Sequence, residues 1–344
     1  MCFFFFLQAE DGIRDLVRSR GLGDVYKRQL LVGIDQYDRL SPLSGCINDV
    51  HALNPLFARN HDDSPNFSCQ IRTGGLAKGR VTRDSFFADL SALFAGGADF
   101  ALLYFAGHGA ASTNDVSMCM SDGTLHSPGI KLSEVLAAAA ESTVGEIVIL
   151  LDCCFSGAAG EVPQLQASGS MLPKGLAVLT ASRGDQEAAE VAGGRGAFSK
   201  FLEGGLEGGA ADVLGKVSLA GLYAYLDECF DPWDQRPGFK GNLERLTPLR
   251  TCSPSVAQAI LRRLPGFFPD PDGQFSLDPS YEPTEQPSHP VHEEIFAQLQ
   301  KCRAAKLVEP VANEHMYYAA LESTGCRLTP LGKHYRHMAA VGLL

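Results

Sequence analysis

From residue 30 onward, short continuous apolar runs alternate with stretches whose apolar residues recur at helical spacing. Residues 30–34, LLVGI, are followed by turn-forming residues and predict a strand buried on both faces. Asn48 precedes Asp-Val-His-Ala-Leu-Asn-Pro-Leu-Phe, the pattern of a helix with Asn48 as its N-cap. Residues 67–72 predict a second strand, and residues 82–94 an amphipathic helix capped by Thr82. Two more apolar strands, at 99–105 and 146–151, enclose a helix at 132–142. A strand-like stretch at 175–182 and helices at 198–205 and 218–230 continue the alternation. Such an order predicts an α/β fold, a mostly parallel sheet with helices on both faces, and a site in the loops beyond the strand C-termini.

The pattern changes at both ends. Residues 265–290 are rich in Pro, Asp, Glu and Ser and predict a linker. The module beyond it, 291–344, reads as a helix over 292–308, a strand over 316–320 and a helix over 328–341 capped by Thr329. Residues 1–29 hold neither helical nor strand period. Their FFFFLQAEDGIRD and RGLGDVYKRQ segments resemble the conceptual translation of sequencing-adapter DNA that enters metagenome-derived reading frames. The expected organisation is therefore a non-native leader over 1–29, a main domain over 30–264, the linker, and the C-terminal module; a disordered leader is the other reading of the first segment.

Composition narrows the function classes. With 344 residues, 45% hydrophobic and 20% charged, the chain can build a core and is neither disordered nor collagen-like. A net charge of −11 removes any general attraction for nucleic acid or an anionic membrane. The ten cysteines are scattered without a CxxC pair, which favours a reducing compartment, and no apolar run approaches the roughly 20 residues that span a bilayer. A cytoplasmic location is expected.

Two strand ends carry the candidate chemistry. Tyr104-Phe105-Ala106-Gly107-His108-Gly109 places an imidazole between two glycines just after an apolar strand, where the backbone lets a substrate approach. Asp152-Cys153-Cys154-Phe155-Ser156-Gly157 places a thiol at another strand end, 46 residues downstream of His108. A histidine about 50 residues upstream of a nucleophilic cysteine is the caspase order. Adjacent residues leaving a strand point to opposite sides, so only one of Cys153 and Cys154 can face His108.

These motifs resemble the caspase and metacaspase clan, in particular bacterial metacaspase-like proteins with their Y-x-G-H-G and D-x-C-x-S-G signatures. The chain departs from the first by one extra residue between Tyr104 and Gly107. The resemblance runs over about residues 30–264 and includes Gly45-Cys46-Ile47-Asn48-Asp49, GAFSKFL at 196–202 and QRPGFKGN at 235–242. It implies the caspase-hemoglobinase fold and a cysteine endopeptidase with His108 as general base and Cys154 as nucleophile, leaving Cys153 as a small buried hydrophobe. Backbone N–H groups of Gly109 and Cys154 are the implied oxyanion donors. Cys46, Asp49 and Asp152 match the residues that line the pocket for a basic residue before the cut.

A desolvated pair of carboxylates suits a guanidinium, whose fork gives bidentate geometry, so cleavage after Arg, then Lys, and not after Asp is expected. With no substrate bound, such a pair is costly, and one member is expected to take up a proton or a water. Lys174 is the basic residue available for processing between subunits, although a solvated loop lysine is its ordinary role. No cofactor is expected. Asp115, Asp122 and Asp185 form no secure calcium cluster in the sequence, so calcium is not expected to be obligatory. Leu328-Thr329-Pro330-Leu331-Gly332 resembles the L-T-x-x-G element of winged-helix units, and the balanced charge of this module favours a protein partner over DNA. The rival readings are a catalytically silent caspase-like scaffold and a nucleotide-binding protein. No GxxxxGK[ST] or strand-following GxGxxG supports the second.

Overall fold

The computed structural model describes residues 26–76, 79–112, 115–124, 126–153, 172–181, 190–191, 194–230 and 236–344. Its centre is a six-stranded sheet of β1 (Lys27–Ile34), β2 (Phe67–Gly74), β3 (Phe100–Gly107), β7 (Glu146–Cys153), β8 (Leu176–Thr180) and β9 (Gly238–Asn242). The spatial order is β9-β8-β7-β3-β1-β2. The strands are parallel except β9, which pairs antiparallel with β8 at the edge. Between β3 and β7 the chain forms a small antiparallel sheet of β4 (Gly109–Ser112), β5 (Asp115–Cys119) and β6 (Gly129–Lys131).

The continuous apolar runs follow from burial on both faces. Leu30, Val32, Leu103, Phe105, Ile149 and Leu151 pack beneath α2 (Arg83–Leu93) and α3 (Leu132–Glu141). The alternate residues Leu31, Leu102, Tyr104, Val148 and Leu150 pack beneath α1 (Cys46–Ala58), α4 (Ala197–Gly204) and α5 (Leu219–Cys229). Thr82 caps α2 as expected, its hydroxyl accepting from the Ser85 amide.

Four expectations need correction. β1 begins at Lys27, inside the segment expected to lie outside the fold; Gln29 is buried, and Lys27 Nζ donates to Asn66 Oδ1 at 2.9 Å and to the Pro248 carbonyl at 2.7 Å. Polar letters that end in tertiary hydrogen bonds hide this strand start from a hydropathy pattern. α1 begins at Cys46 with Gly45 as N-cap and no side-chain cap, and Asn48 lies in its first turn, where its amide donates to the carbonyls of Ser44 and Gly194.

Residues 316–320 are helical, within α7 (Met316–Leu321), because Met316, Ala319 and Ala320 bury a helical stripe rather than alternate. The expected linker is part of a third core, separate from the two that cover the sheet. Phe267, Phe268, Leu277 and Tyr281 are buried there with Phe296 and Leu299 of α6 (Pro290–Ala304). β10 (Gln274–Phe275) pairs with β12 (Cys326–Leu328), which pairs in turn with β11 (Val308–Pro310). α8 (Pro330–Ala340), capped by the Thr329 hydroxyl, closes the unit. Among the described residues no helix is long and apolar enough to cross a membrane.

Candidate active site

The register of β3 against β7 runs from Phe100 opposite Glu146 to Gly107 opposite Cys153. The residues that follow these two strands are His108 and Cys154, the latter outside the described residues. Gly107 permits a close approach: a Cβ there would come within 2.6 Å of Tyr37 Oη and 2.9 Å of the Phe105 ring. Tyr37 uses that space to organise His108. Its hydroxyl accepts the His108 backbone N–H at 2.8 Å and donates to the Ile34 carbonyl at 3.1 Å, and the two rings lie 4.9 Å apart. Burial keeps the Tyr37 hydroxyl far above its ordinary pKa, so it stays a neutral donor.

His108 Nε2 lies 2.8 Å from the Ser41 carbonyl oxygen. A carbonyl only accepts, so Nε2 is a protonated nitrogen in this contact and Nδ1 is the ring atom left free of it to act as base. The His108 carbonyl in turn accepts from the Cys119 amide at 2.9 Å, which ties the histidine to the hairpin opened by Gly109.

Strand alternation divides Asp152 from Cys153. Cys153 is buried in the core beneath α2 and α3, as expected for a small hydrophobe. Asp152 turns to the other face, where its Oδ2 accepts from Tyr104 Oη at 3.2 Å and from the Ser199 hydroxyl of α4; Tyr104 Oη and Ser199 Oγ are themselves 2.5 Å apart. Desolvation pushes Asp152 up to about 6, against the two hydroxyl hydrogen bonds, and nearby Asp49 adds to the rise.

Asp49, in the first turn of α1, is also buried. Its Oδ1 accepts from Arg195 Nε at 2.8 Å and its Oδ2 from the Gly196 amide at 3.1 Å. Burial raises the Asp49 pKa, and the Arg195 hydrogen bond opposes the rise. Arg195 also pairs through Nη1 with Glu203 of α4 at 2.5 Å. Gly196 lies between the two carboxylates, where a Cβ would sit 3.1 Å from Asp152 Oδ2 and 3.5 Å from Asp49 Oδ2. Cys46, one turn before Asp49, has its thiol pKa driven far up by burial and then by the charges of Asp35, Asp152 and Asp49. A thiol so placed stays protonated and is no rival nucleophile.

The fold thus gathers Asp49 and Asp152 around Gly196, with Cys46 one turn before Asp49, and sets them beside the strand end that carries His108 and Gly109. Lys174 is elsewhere: it precedes β8 at the opposite end of the sheet, is exposed, and pairs with Glu244 at 2.6 Å. Asp115 accepts from the Ser133 amide and hydroxyl, and Asp122 from the Arg83 amide; Asp185 lies outside the described residues. Among the described residues no group of three or more His, Cys, Asp or Glu side chains is arranged to hold a metal ion.

Sequence reading missed Tyr37, the Ser41 carbonyl and Arg195. Ser199 could have been found, since it lies inside the GAFSKFL segment, and Arg195 immediately precedes that segment. Tyr37 and Ser41 have no local signal, because their roles come from a loop folding over the end of β3.

Comparison with known proteins identifies the family. Residues 27–224 match the family model described as a caspase domain. Over 188 residues the chain is 25% identical to Metacaspase-3 of Trypanosoma cruzi (strain CL Brener), an alignment that covers 50% of this chain and 52% of that protein. The chain spans about half the length of this curated relative.

Proposed function

This chain belongs to the caspase-domain family of cysteine-type peptidases, and from that premise we propose that it is an endopeptidase that cuts after basic residues, Arg ahead of Lys, through a His108–Cys154 dyad. The observation that carries the reading is the hydrogen bond from His108 Nε2 to the Ser41 carbonyl, which leaves Nδ1 as the proton acceptor at the strand end next to the one that Cys154 follows. Nδ1 takes the Cys154 proton, and the thiolate attacks the scissile carbonyl carbon. Charge on the carbonyl oxygen is met by the N–H groups of Gly109 and Cys154. The imidazolium then protonates the leaving amine as the C–N bond breaks, and water hydrolyses the acyl-enzyme with His108 again as base.

Cys46, Asp49 and Asp152 form the receptor for the basic side chain. Two buried carboxyl groups that both border Gly196 support this reading, because a single cation entering there can meet both of them at once. Calcium is dispensable in this mechanism, so hydrolysis with a chelator is expected to equal hydrolysis with added calcium. The C-terminal module is read as a site for a protein partner.

The test is hydrolysis of fluorogenic peptides ending in Arg, Lys or Asp by the full chain and by His108→Ala, Cys154→Ala and Cys153→Ala. Cleavage after Arg that is lost in the first two variants and kept in the third is expected. Cleavage after Asp alone, or activity that survives Cys154→Ala, overturns the reading.

A further inference from the structure

Arg195 is placed unusually for a surface-loop arginine. It belongs to a two-residue ribbon in which Arg195 and Gly196 pair antiparallel with Val191 and Glu190. From there its side chain runs inward until it is only 17% exposed, against an Asp49 side chain that is 3% exposed. Its Nε donates to Asp49, and its Nη1 to Glu203. Its Nη2 is buried and has no hydrogen-bond partner among the described residues. Asp49 beside the His108 strand end therefore already holds a guanidinium, one nitrogen of which is unsatisfied among the described residues.

We propose that Arg195 is an internal occupant of the basic-residue receptor, one that an incoming arginine or lysine side chain must displace from Asp49, so that Arg195 sets how strongly this protein recognises a basic residue. This rests on the reading of Asp49 as part of the substrate pocket. Three features support displacement over a purely structural ion pair. A buried Arg nitrogen without a partner among the described residues forgoes a hydrogen bond that a better-seated guanidinium can make. Glu203 offers Arg195 a second anion 28% exposed to solvent, so the displaced side chain keeps a counter-charge. Gly196 follows Arg195 directly and borders both carboxylates, so the arginine enters the receptor from its wall.

Without Arg195, two carboxyl groups face one cationic guest and bind it more tightly. With Arg195, the guest gains only the difference between its own fit and that of Arg195. Arg195 is in this sense a specificity-determining residue: it weakens every basic guest, and it penalises lysine most, since an ammonium lacks the fork needed to outbid a bound guanidinium.

The test is binding of agmatine, a free guanidinium that requires no catalysis, measured by calorimetry on the full chain, on Arg195→Met, which keeps the apolar stem, on Asp49→Asn and on the double variant. Arg195→Met is expected to bind agmatine at least about tenfold more tightly than the unaltered chain, to gain more melting temperature from it, and to lose the gain when Asp49→Asn is added. Equal or weaker binding by a folded Arg195→Met, or a gain that persists in the double variant, overturns the proposal. If Arg195→Met does not fold, Arg195→Lys decides: tighter agmatine binding than the unaltered chain supports the proposal, and equal or weaker binding overturns it. Peptide hydrolysis by the unaltered chain is a separate readout. Its absence alongside tighter agmatine binding by Arg195→Met condemns the peptidase reading while leaving the occupied receptor standing.

Discussion

Asp152 is a carboxyl group taken out of water at the end of a buried strand, with hydroxyls of Tyr104 and Ser199 as hydrogen-bond donors. Its pKa rises from 3.8 to about 6, chiefly through desolvation. A raised folded-state value means the protonated form suits the fold. The stability linked to this group is therefore fully present below pH 3.8 and lost as pH rises through about 6. Asp152→Asn is expected to remove this pH-dependent loss, so that unfolding free energies compared at pH 4 and pH 7.5 drop less in the variant, by roughly 1.4 kcal/mol for each unit of the shift. The same substitution is expected to lower kcat/KM for Arg peptides. Tyr37 is open to a different test. Tyr37→Phe leaves the half-buried His108 amide without its acceptor, a loss of about 1 kcal/mol. Because the amide holds the histidine and not the substrate, kcat for the Arg peptide is expected to fall about tenfold or more with KM nearly unchanged.

Single elements repeat the contrast between local and distant causes. α2 is specified locally: Thr82 and Ser85 form a reciprocal capping box, and Phe86, Leu90 and Leu93 make its buried stripe. Thr82→Ala is expected to cost about 1 kcal/mol in denaturant unfolding, with peptide hydrolysis unchanged because α2 covers the face of the sheet away from Asp49. α1 starts two residues before the only side chain that looked like a cap. Its first turn is fixed instead by the Cys46 amide donating to Asp35 Oδ1 at 2.9 Å and by Asn48 reaching the Gly194 carbonyl. The start of β1 at Lys27 and the helical state of residues 316–321 escaped the pattern for related reasons. The first depends on acceptors far along the chain, and the second on a stripe too short to separate helix from strand.

At the scale of the whole molecule, three hydrophobic clusters among the described residues, one on each face of the sheet and one beyond it, divide the chain differently from its composition. The cluster beyond the sheet draws Val256, Leu261, Phe267, Phe268, Leu277 and Tyr281 from the stretch before residue 290. A chain ended at residue 289 keeps those side chains but removes Phe296, Leu299, Leu307 and Leu328, against which they pack. It is expected to bind a hydrophobic dye more strongly than the full chain and to aggregate on warming, as large exposed apolar patches do. A true linker over 265–290 would leave dye binding and thermal behaviour unchanged after the same cut.

The sequence by itself determined the alternating α/β order, the parallel sheet and the candidate pair His108 and Cys154. Each follows from local signals: continuous apolar strands, capped amphipathic helices, and glycines beside a histidine or thiol at a strand end. It also singled out Cys46, Asp49 and Asp152 through the resemblance of their motifs. Tertiary structure alone decided that Asp49 is met by Arg195, 146 residues away, that Asp152 is held by Tyr104 and Ser199, and that His108 is oriented by Tyr37 and the Ser41 carbonyl. A buried charge takes its partner from whatever the fold brings within about 3 Å, and that proximity has no period or composition by which a sequence can announce it.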